Sequence, residues 1–128
     1  MRFMFAALLW LITFSSVDVA SAQTPDELEV TRVTKQCQKG DAGGCTNLGY
    51  AYAKGTGVTQ DDFKAVEFYR KACDGKNATG CNNLGVSYHT GDGVRQSVED
   101  ALRFYGQACD LKDKDGCQNY ARLKTEKK

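Results

Sequence analysis

Three cysteine pairs on a fixed period constrain this chain more than anything else in it. Cys37 and Cys45, Cys73 and Cys81, and Cys109 and Cys117 are each spaced Cys-x7-Cys, and each pair follows the last by 36 residues. A period of that size marks a repeat array, in which each unit buries its apolar face only by stacking on its neighbours. Laying residues 37–72 over 73–108 gives 16 identities in 36 positions, among them Asn47/Asn83, Leu48/Leu84, Gly49/Gly85, Tyr52/Tyr88 and Tyr69/Tyr105.

Within a unit the apolar residues fall on two helical faces. Cys45, Leu48 and Tyr52 recur at i, i+3 and i+7, one face of a helix designated A. Gly55-Thr56-Gly57-Val58 and Gly91-Asp92-Gly93-Val94 break it, since glycine supplies the positive φ of a tight turn. Asp61 or Asp62, and Ser97, are the expected caps of a second helix, B. Ala65, Phe68/Tyr69 and Ala72 form its apolar face, repeated as Ala101, Phe104/Tyr105 and Ala108. Residues 26–37 align with B, with Glu29 and Arg32 replacing Ala65 and Phe68, and residues 117–126 align with A. The expected order is B–A–B–A–B–A: an all-α, α/α solenoid of about three antiparallel pairs. It divides into a half-repeat (26–37), repeats 38–73 and 74–109, and a half-repeat (110–128).

The N-terminus sets the expected compartment. Arg2 precedes an apolar run from Phe3 to Phe14, and Ala20-Ser21-Ala22 has the small residues of a signal peptidase site. Read instead as a membrane anchor, that run rises only about 18 Å against a hydrocarbon core of ~30 Å. Residues 1–22 are therefore expected to be a cleaved signal peptide, leaving 23–128 as a secreted or periplasmic domain without an anchor. A net charge of +1 gives no footprint for nucleic acid, and the chain is expected to be a monomer.

In an oxidising compartment six cysteines point to disulfides. Fifteen pairings are possible, and repeat symmetry favours Cys37–Cys45, Cys73–Cys81 and Cys109–Cys117, each closing the reversal over Gln38–Gly44, Asp74–Gly80 or Asp110–Gly116. Each loop of about nine residues is worth roughly 2.5 kcal/mol in the chain-entropy model. Metal binding is the weaker alternative: zinc pairs are usually spaced Cys-x2–4-Cys and converge, and His89 is the single histidine. No metal or cofactor is expected.

The string Cys-x-Asn-Leu-Gly-x-x-Tyr-x-x-Gly-x-Gly-Val-x-Gln, followed by Ala-x-x-Phe-Tyr-x-x-Ala-Cys, runs from Cys45 to Cys73 and again from Cys81 to Cys109. It resembles the Sel1-like repeat, and with the Cys-x7-Cys staple it resembles the Helicobacter cysteine-rich protein family. The resemblance implies a tetratricopeptide-related solenoid with the same staples, bacterial export, and penicillin binding with slow β-lactam hydrolysis. The sequence supplies no catalytic frame for the last of these. Ser87 and Ser97, the serines of the mature chain, lack the Ser-x-x-Lys spacing, and Ser87 and His89 read as a solvated polar pair on different helix faces.

A binding role has more residues behind it. Asn47, Asn83 and Asn119 occupy one slot in three successive A helices, and in tetratricopeptide arrays the A helices line a concave groove where asparagine grips a peptide backbone. A carboxamide both donates and accepts, which suits an extended peptide, a protein partner or a β-lactam. Lys54, seven residues beyond Asn47, and Arg122, three beyond Asn119, add positive charge for a ligand carboxylate. The alternative is that the asparagines cap neighbouring backbone and hold the array together. Asn77-Ala78-Thr79 has the form of a glycosylation sequon, silent in a bacterial protein.

Overall fold

The computed structural model describes residues 22–127, so the expected signal peptide falls outside the described residues apart from Ala22. Six α-helices and no strand form there. They are α1 (Pro25–Gln38), α2 (Ala42–Lys54), α3 (Asp62–Asp74), α4 (Ala78–Thr90), α5 (Val98–Asp110) and α6 (Lys114–Glu126). The order is the expected one, with α1, α3 and α5 as B helices and α2, α4 and α6 as A helices.

Local chemistry sets the boundaries. Thr24 caps α1 in a reciprocal box: its hydroxyl accepts from the Glu27 N–H (3.2 Å) and the Glu27 carboxylate accepts from the Thr24 N–H (2.7 Å). Of the two candidate caps of α3 it is Asp61 that accepts from the Lys64 N–H, while Asp62 is already the first helical residue; Ser97 caps α5. Asn77 caps α4, with Oδ1 accepting from the Gly80 N–H (2.8 Å) and the Thr46 hydroxyl (2.9 Å). The sequon asparagine is thus committed to holding a helix start.

The seven-residue reversals expected between paired cysteines are shorter. Only residues 39–41, 75–77 and 111–113 are non-helical, because Gly40 (φ 90), Lys76 (φ 64) and Lys112 (φ 71) turn the chain in a single left-handed step. The sulfurs meet across this hairpin as Cys37–Cys45, Cys73–Cys81 and Cys109–Cys117, with Cα separations of 4.5, 4.5 and 4.4 Å. These are normal for a disulfide.

α2 and α4 each pack between two B helices, and α6 packs on α5. Ala72 and Ala108 are fully buried, and Tyr52 stacks on Phe68 (5.6 Å) as Tyr88 stacks on Phe104 (5.5 Å). Close approach depends on Gly49 and Gly85. A Cβ there would lie 2.7 Å from the Tyr69 ring and 2.6 Å from the Tyr105 ring, so only glycine lets each tyrosine lie flat on the preceding A helix. α2 approaches α4, and α4 approaches α6, whereas successive B helices stay apart. The A helices therefore lie on the inner, concave side of the curve.

Candidate binding groove

The concave face carries the same depression twice. The first, about 300 Å³, is lined by Asp26, Val33, Asn47, Tyr50, Ala51 and Thr56 among others. The second, about 270 Å³, is lined at the same six register positions by Asp62, Tyr69, Asn83, Val86, Ser87 and Asp92. B helices supply Asp and Val/Tyr, A helices the remaining walls, and the turn after each A helix closes the rim with Thr56 or Asp92. Tyr50 lines both, so the two cups form one continuous groove.

The third register differs. Asn119 is spent within the fold: its Nδ2 donates to Asn82 Oδ1 (3.0 Å), and its Oδ1 accepts from Arg122 (3.0 Å). The partner is a side chain of the neighbouring A helix rather than backbone. A depression here is displaced toward His89, Val98, Leu123 and Glu126. Asn47 and Asn83, by contrast, form no side-chain hydrogen bond among the described residues, and both open into their cups. The row of three asparagines is two open carboxamides and one internal clamp.

The cations expected for a ligand carboxylate are placed less simply. Lys54 lines the second cup with its ammonium 5.7 Å above the Tyr50 ring, a cation–π contact. Arg122 is bonded to Asn119. Carboxylates outnumber them in the cups: Asp26 and Glu29 in the first, Asp62 and Asp92 in the second. Glu29 is paired with Arg32, and that hydrogen bond holds its carboxyl below the ordinary range. Asp62 accepts from the Gln60 amide (2.7 Å) and Asp92 from the Thr90 hydroxyl (2.7 Å), both neutral donors.

Ser87 and His89 are not the solvated pair that the sequence suggests. Ser87 is buried on the floor of the second cup, where its hydroxyl donates to the Asn83 carbonyl oxygen (3.2 Å). His89 stands edge-on to Tyr105 (6.3 Å between centroids), with Nδ1 3.4 Å from the phenol oxygen. Neither described serine is hydrogen-bonded to a base, and among the described residues no three His, Cys, Asp or Glu side chains cluster as metal ligands.

Sequence reasoning missed Tyr50, Val86, Tyr69 and the cup carboxylates. Tyr50 and Val86 stand three residues beyond Asn47 and Asn83 and are exposed apolar walls, but they differ between units and so leave no mark among the identities. Tyr69 reads as core, and its ring is: it is 5% exposed. Burial, with Tyr50 and Asp62 nearby, pushes its phenol up to about 12. Tyr105 is raised for the same first reason, with Arg122 opposing.

A family model described as Sel1 repeat matches residues 42–77 and 78–113, more than half of the chain. No curated protein matches the sequence. Among solved structures, Helicobacter pylori cysteine rich protein B is similar at 30% identity and a TM-score of 0.71, over 86% of this chain and 77% of that one. A Sel1 repeat protein from Oxalobacter formigenes is similar at 29% identity and a TM-score of 0.70, over 73% of this chain but 39% of its own. The protein c5321, described as a protective antigen in uropathogenic Escherichia coli strains displaying an SLR fold, is 30% identical with a TM-score of 0.67, over 69% of this chain and 19% of its own. The chain thus spans well under half the length of the last two.

Proposed function

The chain belongs to the Sel1 repeat family, and from that membership we propose that it is an exported, disulfide-stapled scaffold whose concave A-helix face binds an extended segment of a partner. Its two repeats and two half-repeats form the mature domain 23–128 once residues 1–22 are removed. Three disulfides among six cysteines support an extracytoplasmic site of action, since such bonds persist in oxidising compartments. One observation carries the binding reading: two cups in identical register, each presenting an uncommitted carboxamide, Asn47 and Asn83, beside an exposed apolar wall. Repeated cups suit a repeating ligand, and a carboxamide satisfies both the N–H and the C=O of an extended main chain.

Binding is tested by titrating display-selected peptides into oxidised, ¹⁵N-labelled protein and following amide shifts. Shifts concentrated in α2 and α4 around the cups support the reading, and shifts confined to the outer faces of α3 and α5 reject it. Asn47→Ala with Asn83→Ala weakens binding, whereas Asn119→Ala acts mainly on stability.

The family resemblance also nominates β-lactams as ligands, with slow hydrolysis. Ser87 on the floor of the second cup is the nucleophile that reading would need, and its hydroxyl faces a carbonyl oxygen rather than a base. Chromogenic β-lactam turnover separates the two readings. Turnover above that of reduced, unfolded protein and lost in Ser87→Ala supports hydrolysis, and no turnover leaves the non-enzymatic scaffold.

A further inference from the structure

At the equivalent positions Val33, Tyr69 and Tyr105, only Tyr69 combines a buried ring with an unspent hydroxyl. Tyr105 has His89 Nδ1 at 3.4 Å, and valine has nothing to offer. The Tyr69 O–H forms no hydrogen bond among the described residues, yet it is not sealed in, since every fully buried polar side-chain atom there has a partner. Tyr69 lines the second cup beside Asp62, Asn83 and Asp92. A hydroxyl that is accessible and unspent within the fold, on a ring that burial holds in place, is available to donate to a ligand atom.

We propose that the second cup is the anchoring subsite of the groove and takes an extended peptide carrying a lysine or arginine side chain. The Tyr69 hydroxyl donates to a main-chain carbonyl oxygen, the Asn83 carboxamide pairs with the adjacent amide, and Asp62 and Asp92 receive the cation. This rests on the scaffold reading above and adds the partner's chemistry to it.

Three further observations support the assignment. Burial keeps the Tyr69 phenol protonated to about pH 12, so it remains a donor throughout the neutral range. Asp62 and Asp92 form no ion pair among the described residues, and their hydrogen-bond donors, Gln60 and Thr90, are neutral. Lys54, the cation lining this cup, is held over the Tyr50 ring. Tyr50 and Val86 then give apolar surface along which the aliphatic stem of a bound lysine can lie.

The test is selection of displayed eight-residue peptides on the oxidised protein, followed by fluorescence anisotropy of the winners. Lysine or arginine is expected to be enriched over aspartate and glutamate, and replacing it by glutamine is expected to weaken binding about ten-fold. Tyr69→Phe is expected to weaken binding about five-fold, the size of one hydrogen bond, with an unchanged melting temperature because no internal bond is lost. Asp62→Asn with Asp92→Asn is expected to remove the preference for basic residues. Peptides that bind the concave face without charge preference, or equally well to Tyr69→Phe, overturn the inference and leave the scaffold reading standing. Failure to select any peptide defeats both. Self-association that Tyr69→Phe weakens would make a second copy the occupant and would overturn the assignment to a partner.

Discussion

Two glycine-to-alanine substitutions on neighbouring helices should change stability in opposite directions. In an exposed helix interior alanine is favoured over glycine by about 1 kcal/mol, because glycine loses more backbone freedom on folding. Half-buried Gly106 in α5 has room for the methyl group: a Cβ there would first touch the Tyr120 ring at 3.5 Å, an ordinary contact. Gly106→Ala is expected to stabilise by up to about 1 kcal/mol. Gly85 in α4 has no such room. Its Cβ would lie 2.6 Å from Tyr105 Cδ1, and Tyr105 is 1% exposed, with Leu123 and Ala101 packed around it. The ring cannot swing away without opening the α4–α5–α6 core, and such overpacking costs roughly 1–3 kcal/mol. Net of the helix gain, Gly85→Ala is expected to destabilise by up to about 2 kcal/mol. Urea denaturation of oxidised protein followed at 222 nm reads both, as midpoints moved oppositely at constant slope. Equal or greater stability of Gly85→Ala would refute the claim that glycine is there for the tyrosine. Ala121 holds the same register position in α6, where no following B-helix tyrosine packs among the described residues.

Other expectations follow from the hairpins and the buried phenol. Lys112 sits at φ 71 where Gly40 occupies the same register, so Lys112→Gly is expected to stabilise by about 1 kcal/mol in the same urea assay. Cys109–Cys117 is half-buried and staples the terminal helix, whereas Cys73 and Cys81 are buried inside the array; limited thiol treatment with alkylation and mass spectrometry should find the terminal bond reduced first. Tyr69 titrates at about 12 when folded against an ordinary 10. The folded state keeps a proton that the unfolded chain gives up, so this residue's contribution to stability is complete below pH ~10 and is lost as pH rises toward ~12. Tyr69→Phe removes that slope in alkaline denaturation curves.

Much of the fold was legible because its causes are local and repeated. A 36-residue period, helix-spaced apolar residues and turn glycines require paired helices, and the cysteine spacing puts each pair of sulfurs across one hairpin. The turns proved tighter than their spacing suggests. A single left-handed residue reverses the chain, and at Lys76 and Lys112 that residue is not the glycine a reader looks for. Asp61 and Asp62 were equivalent on paper because both can cap. Only the helix start separates them, giving one to the backbone and the other to the groove.

The binding surface divides differently. Sequence register alone puts Asn47, Asn83 and Asn119 in one row, because a repeat carries each residue to the same place on successive helices. Whether a carboxamide in that row is free depends on what crosses from the next helix. Asn82 and Arg122 occupy the Asn119 carboxamide, while nothing described bonds to the side chain of Asn47 or Asn83. The same holds for the tyrosines at positions 69 and 105, identical in the repeat. His89 meets one hydroxyl, and Ala53, its counterpart one unit earlier, leaves the other unbonded. Periodicity specifies positions, and hydrogen-bond satisfaction depends on distant side chains that need not repeat. The architecture was therefore written in the spacing, and the open cup was decided only where the helices met.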